Sequence, residues 1–108
     1  MGDAYPKAAR LRRDADFSAV RTRGRRVHGR QAVVRVAARP SGPARLGIGV
    51  SRAYGDAVRR NRFRRLVREA FRALLPTLPP CDLLVQPRRD LREPTLAGLR
   101  EDLAEAAR

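Results

Sequence analysis

DAVRRNRFRRLVREAFRALL, Asp56 to Leu75, is the stretch whose reading decides the fold. Phe63, Leu66, Val67, Ala70, Phe71 and Leu74 recur at i, i+3, i+4, i+7, i+8 and i+11, the apolar stripe of one α-helix. At 100° per residue, Asn61, Arg65, Arg68 and Arg72 gather on the opposite face, flanked by Arg62 and Arg64. Asp56 is placed to cap the first turn, and Pro76 stops the helix. Such a helix holds a core with one side and offers guanidinium groups to a polyanion with the other.

The rest of the composition agrees with that reading. The chain has 108 residues, enough for one domain with a modest core. Its formal charge is +14, from 25 basic residues against 11 acidic ones, and Lys7 is the only lysine. Guanidinium groups recognise phosphates bidentately, and a GC-rich codon bias would produce the same skew toward arginine. Within the helix, Arg59, Arg60, Arg62, Arg64, Arg65, Arg68 and Arg72 are offset by Glu69 alone. An ordinary solvated face mixes both signs. Like charge packed this densely costs stability unless a polyanion compensates it.

Outward from the helix, the chain reads as short alternating elements. Met1 to Ala9 lacks periodicity and is expected to be a loose tail, leaving 10–108 as a single domain. Leu11, Phe17 and Val20 suggest a helix from about Asp14 to Thr22, capped by Asp14 or Asp16 and closed by Gly24. Arg23 to Arg30 reads as a basic loop or short edge strand. Gln31 to Arg39 alternates, with Ala32, Val34, Val36 and Ala38 on one face and Val33, Arg35, Ala37 and Arg39 on the other. After the Pro40–Pro43 turn, Leu46, Ile48 and Val50 predict a second strand antiparallel to the first. Its Gly47 and Gly49 are expected to leave a face bare enough for another backbone or a flat ligand. Asp82 to Gln86 reads as a short buried strand. Pro94 opens a last helix carrying Leu96, Leu99, Leu103 and Ala106, and Glu101, Asp102 and Glu105 make it the only acidic part of the chain. Hairpins combined with a strand–helix–strand crossover predict an α+β fold with a mixed sheet.

Self-sufficient chemistry is harder to find. The acids are scattered, and Glu69 is expected to pair with its arginine neighbours. His28 is the only histidine, no Cys/His spacing resembles a zinc site, and no catalytic residue is assigned. Any metal site on the protein is left unassigned. Cys81 alone cannot form an internal disulfide. No apolar run approaches the roughly 20 residues of a membrane span, and the arginine-rich first thirty residues do not read as a secretory signal. A cytoplasmic protein facing RNA or DNA, without a membrane or an obligate protein partner, is the expectation.

Arg60-Asn61-Arg62-Phe63-Arg64-Arg65-Leu66-Val67-Arg68-Glu69-Ala70-Phe71-Arg72 closely resembles the Arg-Asn-Arg signature helix of the bacterial ribonuclease P protein component. Leu46-Gly47-Ile48-Gly49-Val50-Ser51-Arg52 resembles the glycine-bearing strand before it. Gly55 and Ala57-Val58 fit the connector, and Arg10-Leu11, Phe17, Val20, Gly24 and Arg30-Gln31 fit the upstream pattern. The resemblance implies a small αβββαβα fold with a left-handed βαβ crossover at the Arg-rich helix, against the usual right-handed rule. It further implies a protein subunit that assists a catalytic RNA in removing 5′ leaders from precursor tRNA. Hydrolysis and Mg²⁺ would belong to the RNA, with no cofactor held by the protein. Carried over by position, Ser51, Arg52, Arg60, Asn61, Arg62, Arg64, Arg65 and Arg68 would bind the RNA subunit.

Phe17, Arg21 and Arg35 would meet the leader. The family often carries aromatics where Arg21 and Arg35 stand, so leader binding here should lean on phosphates more than on stacking. Ala53 and Asp56 also depart from the family's basic or amide residues at the start of the helix. A ribosomal or other structural RNA-binding protein is the alternative reading, and a free-standing hydrolase is a weaker third.

Overall fold

In a computed structural model that describes residues 6–108, the elements run α1 (Asp14–Arg23), β1 (Arg25–His28), β2 (Ala32–Ala38), β3 (Arg45–Ile48), α2 (Ala57–Leu74), β4 (Cys81–Pro87) and α3 (Leu96–Ala106). This is the expected αβββαβα order. Of the nine residues read as a tail, 1–5 lie outside the described residues. Lys7–Ala9 form a 3-10 turn whose Ala9 is buried.

The four strands form one mixed sheet in the order β1-β2-β4-β3. β1 with β2 and β2 with β4 are antiparallel, while β3 runs parallel to β4. β3 therefore does not pair with β2 as the turn between them suggested, because β4 inserts between the two. The reason is burial. Cys81 to Val85 are buried on both faces, which demands a central position, whereas glycine-bearing β3 suits an edge. Beyond β3, Arg10 bridges to Leu46 in parallel and the Leu11 N–H donates to the Leu46 carbonyl at 2.9 Å.

One face of the sheet carries the main core. Ala32, Val34, Val36, Leu46, Leu83 and Val85 pack there with Phe63, Val67, Ala70 and Phe71 of α2 and with Leu99, Leu103 and Ala106 of α3. The Asp56 carboxylate accepts the Arg59 N–H at 2.9 Å and caps α2, and Pro76 lies in the 3-10 turn that ends it. α3 is capped by Thr95, which accepts from the Gly98 N–H at 3.1 Å; Pro94 stands just before this cap. α1 departs from expectation at its start, because its N-cap is Arg13 and neither Asp14 nor Asp16 caps through its side chain. Both acids instead sit in the first turn, where the helix dipole favours them.

Asp102 is the buried acid of α3. It accepts the backbone N–H groups of Arg30, Gln31 and Ala32 at 3.0, 2.8 and 2.9 Å, tying the start of β2 to the helix. Gly29 makes that approach possible, since a Cβ there would stand 2.3 Å from the Asp102 Cγ.

The opposite face of the sheet is only partly covered. Leu11, Val20 and Leu84 form a smaller cluster with Phe17 and Ala37. Gly47 is not bare. A Cβ there would lie 2.6 Å from Phe17 Cε1 and 2.9 Å from Leu11 Cδ1, so the close neighbour admitted by the missing side chain is a ring of the same chain.

Candidate RNA-binding surface

Packing settles the orientation of α2. With Phe63, Val67, Ala70 and Phe71 fully buried, Asn61, Arg62, Arg65 and Arg68 are exposed, and Arg60 and Arg64 are half-buried at the margins. Arg64 donates to the Asn61 side-chain oxygen at 2.9 Å, and Arg62 pairs loosely with Glu93 at 3.4 Å. Glu69 takes part in none of the ion pairs among the described residues, so the expected helical pair is not formed. The outer face is therefore cationic with little internal neutralisation. The first turn of α2 is anchored through Arg59, whose guanidinium lies 4.4 Å over the Tyr54 ring and donates to the Leu91 carbonyl. Tyr54 in turn meets Phe63 edge-on, with ring centroids 5.9 Å apart.

A second feature lies on the open part of the sheet. Arg26 and His28 of β1, Val33 and Arg35 of β2, Gln86 of β4 and Gly49 beside it line a groove of about 750 Å³. Ser51, Ala53, Tyr54 and Arg88–Arg89 also line it. Arg26 and Arg35 are direct cross-strand partners. Like charges so placed repel each other, which an anion between them relieves. Arg35 also donates to the Gln86 side-chain carbonyl, which holds its guanidinium over the sheet.

The residues assigned from sequence thus divide by location. Arg60, Asn61, Arg62, Arg64, Arg65 and Arg68 share α2, and Arg52 is exposed in the 3-10 turn before it. Ser51, the residue before Arg52, lines the groove with Arg35. Phe17 and Arg21 are on α1; Phe17 is half-buried against Gly47 and Leu11, and Arg21 is exposed. Neither lines the groove. Arg26, His28, Arg88 and Arg89 were not singled out as contacts, because they come from an edge strand and a loop without periodicity. The one usable signal was the open face of β2, whose partners must share its exposure. Among the described residues no three His, Cys, Asp or Glu side chains cluster as a metal site, and no helix is long and apolar enough to cross a membrane.

A basic helix, a mixed sheet and an arginine-lined groove define a class of RNA-binding protein, and the comparisons identify the family. The family profile for ribonuclease P matches residues 5–108. The ribonuclease P protein component of Chlamydia trachomatis is 41% identical over 99 residues, covering 91% of this chain and 82% of that one. The solved RNase P protein of Staphylococcus aureus superposes with a TM-score of 0.79 at 32% identity, covering 93% of each chain. That of Thermotoga maritima gives 0.78 at 33%, covering 91% of this chain and 94% of that one. The chain belongs to the ribonuclease P protein family and is the protein part of that tRNA-processing endoribonuclease, associated with its RNA. The ribosomal alternative is set aside on the same matches.

Proposed function

We propose that α2 docks the chain on the ribonuclease P RNA while the open sheet face receives the 5′ leader of precursor tRNA. The observation carrying this reading is the division of α2 into a buried stripe of Phe63, Val67, Ala70 and Phe71 and an outer face of Arg60, Arg62, Arg64, Arg65 and Arg68. Arg52 continues that face. Hydrolysis and its Mg²⁺ would lie with the RNA, in the cytoplasm. The buried carboxylates are already engaged, Asp82 by Arg45 and Asp102 by three backbone N–H groups, so they do not suit a metal ion.

On the leader side, Arg26 and Arg35 supply paired guanidinium groups to consecutive phosphates, and Ser51 adds a hydroxyl at the rim. The exposed part of Phe17 offers a stacking edge, and base–aromatic stacking is worth roughly 1–3 kcal/mol. Arg21 stands on the same helix in place of a second ring. Binding on this face should therefore depend on leader phosphates more than on base identity. The assembled enzyme should bind leader-bearing precursor clearly more tightly than mature tRNA, and Arg35→Ala should narrow that difference. Equal affinity for the two RNAs would contradict the leader assignment.

A further inference from the structure

The sheet face that carries the groove has a second concavity at its other end, beyond α1. Lys7, Arg10, Arg12 and Arg13 from the segment leading into α1, Asp16 of α1, and Arg39 and Arg45 at the ends of β2 and β3 line about 610 Å³. Asp82, at the β4 end of this basin, and Gln86, in the groove, are four residues apart on one strand. The two features are therefore separated by roughly 13 Å at about 3.3 Å per residue. None of the six basic residues belongs to α2.

Charge here is unbalanced in a particular way. The carboxylates are consumed internally: Asp82 accepts from Arg45 Nε and Nη2 at 2.7 and 2.8 Å and has Arg39 at 3.8 Å, and Asp16 lies 3.5 Å from Arg45. Lys7, Arg12 and Arg13 are exposed and form no side-chain hydrogen bond or ion pair among the described residues. Their backbone is nonetheless fixed. Ala9 and Leu11 are buried, and the Arg10–Leu46 bridge adds this segment to the sheet edge. Cations on a mobile tail would disperse, whereas these are held around one concavity at a standing cost in repulsion.

We propose that this basin is a second phosphate-binding surface for the RNA subunit, engaging a backbone segment other than the one on α2. The proposal rests on the family's RNA partner and extends the contact from one helix to two separated surfaces. A folded RNA can reach both, whereas a single-stranded leader lying in the groove would have to cross α1 to enter the basin.

The test uses the full chain with Lys7, Arg12 and Arg13 all changed to Ala, beside an Arg65→Ala/Arg68→Ala variant. Thermal melting verifies that both remain folded, as exposed substitutions should. Affinity for ribonuclease P RNA without substrate is measured across salt concentrations. The basin variant should lose about tenfold or more in affinity, and its log–log salt slope should fall by about one for every phosphate it no longer engages. Its preference for leader-bearing precursor should stay at the wild-type value. Wild-type affinity and slope would overturn the inference. So would a variant that loses only the leader preference, because the basin would then belong to substrate. If the α2 variant alone is impaired, the basin inference fails and the docking reading stands. If neither is impaired, both fail.

Discussion

At the scale of single residues, two glycines show how the sequence admits a neighbour. Gly47 accommodates the Phe17 ring, and Gly47→Ala puts a methyl 2.6 Å from it. The expected cost is about 1–3 kcal/mol in urea unfolding, with α1 loosened from the sheet. The pattern Gly-x-Gly was legible as a missing side chain. What filled the space was not, because Phe17 lies thirty positions earlier and no local rule pairs them. Gly29 makes the corresponding room for Asp102. Removing that carboxylate by Asp102→Ala leaves three backbone N–H groups without their acceptor, and a loss of about 3 kcal/mol or more is expected by the same measurement. Cys81 offers a chemical check. Burial pushes its thiol pKa up, with Asp82 adding to the shift and Arg39 opposing it. A raised folded pKa means that this contribution to stability is present below the unfolded thiol pKa and is lost as pH rises through the folded one. Native protein at neutral pH should resist alkylation at Cys81, and denatured protein should react fully.

Among the elements, α2 was the most legible and the sheet the least. The helix announces itself through an apolar period, a capping Asp56 and a terminating proline, all local. Asp56→Ala should cost about 1 kcal/mol in thermal or chemical denaturation, because the Arg59 N–H loses its acceptor. Arg65→Ala, being exposed, should leave stability unchanged and lower the salt slope of RNA-subunit binding by about one; an unchanged slope would put Arg65 in solvent. The sheet obeys non-local terms. Alternation identified β2 and β3, but nothing in either strand reveals that β4 comes between them. That placement follows from the burial of β4 on both faces and from the Arg45–Asp82 pair that joins β3 to it. The groove was only half legible for the same reason. Arg35 stood out on an alternating strand, while Arg26, His28 and Arg88–Arg89 join it only once strand order is known.

For the whole molecule, a charge of +14 on 108 residues is the governing fact. Most of the basic residues occupy the α2 face, the sheet groove and the basin beyond α1, while the acids are mostly tied into ion pairs, caps or the outer side of α3. Self-repulsion on this scale should make the free protein more stable as salt rises, visible as an upward shift in melting temperature, whereas RNA binding weakens over the same range. The central claim is that this charge serves a partner RNA which performs the chemistry. The most direct measurement is the rate of 5′ leader removal from precursor tRNA at low Mg²⁺, by bacterial ribonuclease P RNA with and without the protein. Cleavage should be markedly faster with the protein, and the protein alone should leave the precursor intact. A rate no faster than that of the RNA alone would contradict the account.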